Sequence, residues 1–148
     1  MRLAGKKAVI TGGGSGIGKA TAIALAKEGC QVVIGGRNLQ KLLDVQKQLG
    51  AEHGAHEVNV GDPKSVETFI QFARQKLGAI DILVNAAGVN IKTRTLADMQ
   101  PGQWEEVMRI NAYGPYYTMN NVLPEMRARR DGLIINISST SGKRASML

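Results

Sequence analysis

The chain has 148 residues, 43% hydrophobic and 21% charged, which allows one domain with a substantial core and fits a soluble globular class. A single cysteine, Cys30, excludes an internal disulfide framework and a cysteine-built metal centre, and no apolar run approaches the roughly 20 residues of a membrane span. The formal charge of +7 is scattered along the chain, and aromatic residues at 4% are too few for a base-stacking surface, so no nucleic-acid partner is expected.

The apolar run 7–11 reads as strand one. Thr11-Gly12-Gly13-Gly14-Ser15-Gly16-Ile17-Gly18 then turns into helix one, 16–28, which Gly29 stops. Residues 1–7 lead into that strand without a signal-peptide apolar core, so cytoplasm is the expected location. Ala20, Ala22, Ala24 and Ala26 keep the helix slim enough to lie close to a sheet. Strand two is 31–35, with Cys30 a small buried filler at its start. Helix two opens at the N-cap Asn38, places Leu39, Leu42, Leu43 and Leu49 on one face, and ends at Gly50. Strand three, 55–60, is a weaker signal. Helix three opens with Asp62-Pro63, carries the stripe Val66, Phe69, Ile70, Ala73 and Leu77, and closes at Gly78.

Strand four, 80–84, runs into Asn85-Ala86-Ala87-Gly88. A polar loop, 89–100, precedes a long helical pattern, 101–127, in which Trp104, Val107, Met108 and Asn111 share a face. Gly114-Pro115 interrupts that pattern and predicts a bend. The basic cluster 127–130 falls at the helix end, where cations complement the dipole. Strand five, 133–137, is apolar except for Asn136, so burial of both faces is expected. Ser138-Ser139-Thr140-Ser141-Gly142 follow. Strands alternating with helices, without a repeat or linker, predict an α/β fold: one domain over 1–148 with a parallel sheet and crossover helices.

The first N–H groups of a helix lack intrahelical acceptors and sit at its positive end, which stabilises an anion such as a pyrophosphate. Glycines allow the tight turn and let phosphates come close. The literal G-x-G-x-x-G pattern is absent, because Ile17 holds its third glycine place; the spacing is Gly12-x-x-x-Gly16-x-Gly18. This turn, Gly36-Arg37, Asn59-Val60, Asn85-Ala86-Ala87-Gly88 and Ser138-Ser139 all fall at strand C-termini, where open parallel sheets bind ligands.

Together these segments resemble the short-chain dehydrogenase/reductase family, in family order across essentially the whole chain. The glycine turn is similar to the family's cofactor turn. Asn85-Ala86-Ala87-Gly88 is similar to its Asn-Asn-Ala-Gly segment, with Ala86 in place of the second asparagine. Asn111 within Arg-Ile-Asn-Ala-Tyr-Gly matches the active-site asparagine, and Ser139 at the end of Ile-Asn-Ile-Ser-Ser matches the catalytic serine. The resemblance implies a Rossmann-like fold with a doubly wound parallel sheet in the order 3-2-1-4-5, a nicotinamide dinucleotide cofactor and hydride transfer between it and a small-molecule carbonyl or alcohol. The implied cofactor residues are Gly12, Gly14, Ser15, Gly16, Ile17 and Gly18 of the turn, Arg37 with Asn38, Asn59 with Val60, and Asn85, Ala86, Ala87 and Gly88. Relatives commonly form homodimers or tetramers through the long helix, which implies a homo-oligomer for the full-length protein. No metal site is expected.

Cofactor choice has a physical reading. An acidic residue at the end of strand two would accept from the ribose 2′-OH of NAD. Gly36 and Arg37 stand there instead, and a guanidinium suits a 2′-phosphate, so NADP(H) is expected ahead of NAD(H). Ser15 departs from the basic residue that many NADP-preferring relatives carry before the second motif glycine. Asn59 stands where the family often has an aspartate facing the adenine amino group; an acceptor for adenine and a strand-end turn are both open readings.

In the family a tyrosine transfers the proton, and a lysine four residues later lowers its pKa. No Tyr-x-x-x-Lys occurs here: Tyr113, Tyr116 and Tyr117 are followed at that distance by Tyr117, Asn120 and Asn121. Two expectations stand side by side. Either the natural protein continues past Leu148 with the tyrosine, the lysine and the outer strands, and this 148-residue piece does not turn over, or the chain is a non-catalytic dinucleotide-binding or interaction protein, complete as it stands. The first also accounts for apolar strand five, which would otherwise leave an exposed sheet edge.

Overall fold

The computed structural model describes residues 1–92 and 95–140; Ser141, Gly142 and the basic pair Lys143-Arg144 lie outside the described residues. Five parallel strands form one sheet: β1 (Lys7–Thr11), β2 (Gln31–Gly36), β3 (Gly54–Glu57), β4 (Ile82–Asn85) and β5 (Leu133–Asn136). Their order is β3-β2-β1-β4-β5, the doubly wound order expected. The helices are α1 (Gly16–Lys27), α2 (Leu39–Leu49), α3 (Pro63–Leu77), α4 (Pro101–Met108) and α5 (Gly114–Arg129). No helix among the described residues is long and apolar enough to cross a membrane.

Side chains of a strand alternate between faces, and both faces of the sheet are covered at β1, β2 and β4. Val9 of β1 enters a core with Val33, Leu83, Phe69, Ile70 and Val122, the last three supplied by α3 and α5. Its neighbours Ala8 and Ile10 enter a second core with Val32, Ile34 and Val84 against Ala22, Leu42 and Val45 of α1 and α2. In register, Ile10 lies opposite both Ile34 and Val84. Phe69 is fully buried, a gain of about 1.5–3 kcal/mol. Gly35 makes room for it, since a Cβ there would lie 2.5 Å from Phe69 Cζ.

Local signals set most helix ends. The Oδ1 of Asn38 accepts from the Lys41 N–H at 3.0 Å, and the Oδ1 of Asp62 accepts from the Lys64 N–H at 3.0 Å. The α3 stripe is buried at all five positions expected. The α2 face differs from expectation: Leu39 is exposed, and the buried residues are Leu42 and Val45. Two strands are shorter than their apolar runs. β3 ends at Glu57, and β4 begins at Ile82, because Asp81 turns its carboxylate onto the Lys7 N–H at 3.0 Å.

The expected bend in the long helix is a π-helical turn, Arg109–Tyr113, lying just before Gly114. Pro115 has no N–H to offer the carbonyl of Asn111, and the Gly114 N–H reaches back five residues to the Arg109 carbonyl. Gly114 also packs on Val60, whose Cγ2 would lie 2.8 Å from a Cβ there. Beyond the turn, Gly114, Thr118, Val122 and Met126 face the core. Trp104 and the α4 face expected with it do not: Trp104 is 53% exposed, and no residue of α4 is fully buried. β5 is also a correction. It is an edge strand, and Leu133 and Ile135 on it, with Ile137 just beyond it, remain exposed.

Candidate functional site

The chain leaves β1 through Gly12, whose φ of +70° lies in the left-handed region. A Cβ on Gly12 would lie 2.8 Å from the backbone of Ala86 and Ala87, and one on Gly18 would lie 2.3 Å from the Gly12 carbonyl oxygen. The turn therefore packs directly on the segment after β4, with α1 drawn in close behind it. Gly16, by contrast, has nothing within 4 Å of where its Cβ would stand. Ser15 holds the N-cap position in extended conformation, and its side chain makes no capping hydrogen bond. The first-turn amides of α1 thus open toward a cleft, with the positive end of the helix dipole behind them.

The cleft has a volume of about 360 Å³. Gly12, Gly14, Ser15, Gly16, Ile17 and Gly18 line its floor. Arg37 and Asn38 border one end, while Ala86, Ala87 and Gly88 border the other. Val60 joins Val58 and Ile110 in an apolar wall. The Arg37 side chain is 60% exposed, and its Nη1 lies 3.7 Å from Oε1 of Glu106.

Two residues grouped with these from sequence take other positions. Asn85 is buried away from the cleft: its Nδ2 donates to Asn136 Oδ1 at 2.8 Å, and its Oδ1 accepts from the Thr118 hydroxyl at 2.7 Å. It ties β4 to β5 and α5. Asn59 is not part of the cleft lining either. Its Oδ1 accepts from the Gly61 N–H at 3.1 Å, a strand-end turn, and its own N–H donates to Ser65 Oγ at 3.0 Å.

Asn111 lies in the π turn and grips the backbone of Val89 twice. Its Oδ1 accepts from the Val89 N–H and its Nδ2 donates to the Val89 carbonyl, each at 2.8 Å. Ser138 and Ser139 are exposed beyond the C-terminal end of β5, the same end of the sheet as the glycine turn. The Ile137 N–H, bonded to the Asn85 carbonyl at 2.9 Å, extends the β4–β5 ladder toward them.

Sequence reasoning passed over two contributors. Thr11 is 1% exposed, and its Oγ1 accepts from the N–H groups of both Ala86 and Ala87 at 3.2 Å. A threonine as the last residue of the strand was the available signal. Lys41 lines the cleft from the first turn of α2, near Arg37. Cys30 lies at the far end of the sheet, where burial, with Asp81 adding to it, pushes the thiol up to about 11, so it stays protonated and unreactive. Among the described residues no three metal-ligating side chains cluster.

Among curated relatives, an uncharacterized oxidoreductase of Staphylococcus aureus (strain MW2) is 38% identical over 141 residues, covering 95% of this chain and 61% of that protein. The chain thus spans less than two thirds of the length of such relatives. Among solved structures, a metagenomic short-chain oxidoreductase in complex with NADP superposes with a TM-score of 0.92 at 34% identity, covering 99% of this chain and 67% of that one. A 3-ketoacyl-(acyl-carrier-protein) reductase from Brucella melitensis complexed with NADH superposes with a TM-score of 0.93 at 31% identity, covering 97% and 61%. The sequence profile of the short chain dehydrogenase family matches residues 6–148. With its parallel sheet, its glycine turn and its Asn111 clamp, the chain belongs to the short chain dehydrogenase family of oxidoreductases.

Proposed function

We propose that the protein is an NADP(H)-dependent oxidoreductase interconverting a carbonyl and an alcohol, and that these 148 residues are its cofactor-binding part. One observation carries this reading: the cradle at Gly12 and Gly18, where no Cβ fits, below an open cleft at Gly16. A pyrophosphate suits that place, because only backbone amides and a helix dipole meet it. Val58, Val60 and Ile110 offer an apolar wall to an adenine ring, and Arg37 and Lys41 offer cations to a 2′-phosphate. The bound dinucleotide would supply or accept the hydride.

The remaining roles fall to this chain's own groups. Thr11 and Asn111 fix the segment 86–89 at the inner end of the cleft, one from each side. The Asn111 carbonyl, to which Pro115 has no N–H to offer, would hold a water or a cation. Ser139, three residues beyond the end of β5, would orient the substrate oxygen. A proton donor matching Tyr-x-x-x-Lys does not occur in these residues. The exposed β5 edge and the greater length of the relatives support its being supplied by further sequence. Exposed Trp104, Tyr113 and Tyr116 on the long helix support self-association of the whole protein.

Nucleotide titration followed by Trp104 and nicotinamide fluorescence tests the reading. NADPH is expected to bind more tightly than NADH, with Arg37→Ala erasing the difference. Tighter binding of NADH, unchanged in Arg37→Ala, would overturn the cofactor assignment. Ordinary reductase turnover by the 148 residues alone would overturn their being only the cofactor part.

A further inference from the structure

We propose that Glu106 is a specificity-determining residue that acts through Arg37: it holds the guanidinium off the 2′-phosphate position and sets how strongly the cleft prefers a phosphorylated ribose. The inference rests on the dinucleotide reading above and adds a residue that the sequence did not single out. Arg37 follows β2, and Glu106 lies on α4, one turn before the segment that supplies Ile110 to the cleft. Their ion pair therefore joins the cleft-lining Arg37 to a helix far away in sequence that leads into the cleft-lining Ile110.

The geometry makes this a weak hold. The N···O distance of 3.7 Å lies beyond hydrogen-bonding range, so the attraction is Coulombic only. Both side chains are substantially exposed, at 60% and 45%, and solvent screens the pair. A phosphate dianion takes up to two short charge-assisted bonds from a guanidinium, and so it wins the competition. A ribose bearing only hydroxyls offers Arg37 no comparable replacement. The pair thus opposes binding of the 2′-phosphorylated nucleotide and leaves the other nearly untouched. Lys41, on the same side of the cleft, has no ion-pair partner among the described residues and supplies a constant positive background.

Adenosine 2′,5′-bisphosphate and 5′-AMP isolate this end of the cleft and bind without the nicotinamide half. Their dissociation constants are measured by calorimetry on wild type, Glu106→Gln, Arg37→Ala and the double variant, each checked for an unchanged thermal midpoint. Glu106→Gln is expected to tighten the bisphosphate by about twofold to fivefold, the range an exposed ion pair supports, with 5′-AMP little changed. In the Arg37→Ala background that gain disappears. A bisphosphate to 5′-AMP ratio unaltered by Glu106→Gln overturns the role of Glu106. A full gain persisting without Arg37 overturns it too, since Glu106 would then act on the phosphate directly. If Arg37→Ala alone weakens the bisphosphate, the cofactor reading survives that failure. If wild type binds neither nucleotide, both fail.

Discussion

Replacing Thr11 by valine tests how the glycine turn and the segment after β4 are locked together. Valine has nearly the shape of threonine, so packing at this 1% exposed site is kept and only the hydroxyl is lost. That hydroxyl accepts from the N–H groups of Ala86 and Ala87, both at 3.2 Å. Each such bond contributes about 0.5–1.5 kcal/mol net, and these two are long and share one acceptor. Their sum is about 1–2 kcal/mol, and two amides left without an acceptor where the turn packs closest would raise the loss toward about 3 kcal/mol. Urea unfolding should therefore show a midpoint lowered at unchanged slope, with Thr11→Ser, which keeps the oxygen, recovering most of the loss. NADPH affinity should fall by about tenfold in Thr11→Val, since each 1.4 kcal/mol of cleft disorder carried into binding is a factor of ten. A Thr11→Val protein within about 0.5 kcal/mol of wild type, binding NADPH normally, would show that van der Waals packing alone seats the segment and that the two bonds are incidental.

Further outcomes follow from single contacts. Gly18→Ala places a Cβ 2.3 Å from the Gly12 carbonyl, so NADPH binding should fall by well over tenfold in fluorescence titration while far-ultraviolet circular dichroism keeps its helical signal. His53 is buried, and its Nδ1 accepts from the Val32 N–H at 3.0 Å, so His53→Leu should cost about 1–3 kcal/mol in urea unfolding. His53→Asn, which can place an oxygen near the lost nitrogen, should cost less; equal losses would count against the bond. The Cys30 thiol is raised by burial to about 11 in the folded chain, so the unfolded chain ionises first as pH rises. This stability contribution is complete below about pH 8.5 and is lost toward pH 11, and Cys30→Ala should flatten the alkaline fall in thermal midpoint. Ile135→Lys on the exposed β5 edge should suppress concentration-dependent association in sedimentation experiments with the 148 residues.

Most of the fold was legible because its signals are local. Asn38, Asp62 and Pro63 mark helix starts through bonds to their own neighbours, and the α3 stripe needs only the helical period. The glycine turn was legible for the same reason. What escaped depended on partners distant in sequence. Asn85 reads as a loop residue at the end of an apolar run, yet Thr118 and Asn136 claim its amide. Trp104 and Leu39 fit an apolar periodicity, but the surfaces they face are not covered by described residues. The bend was expected from Gly114-Pro115, whereas the close packing of Gly114 on Val60 of the cleft wall depends on a residue far away in sequence. Thr11 reads as the first residue of the glycine motif, but its two bonds exist only because β1 and β4 are neighbours in the sheet.

The wide turn at Arg109–Tyr113 makes the number of residues in that stretch, rather than their identity alone, a structural parameter. A π turn is an α-helix carrying one surplus residue, and each residue of an α-helix rotates the chain by about 100°. The wide turn takes up that surplus, so the helix beyond it keeps its phase, whereas one more residue inserted there, with no second wide turn to absorb it, would swing everything after it by roughly that angle. Thr118 would then leave Asn85, Val122 and Met126 would emerge from the core, and the surface carrying Tyr116 would point somewhere else. Chain length at this bend thus keeps the cleft and the outer face of the long helix in phase, and recombination between relatives with different spacing there would decouple them.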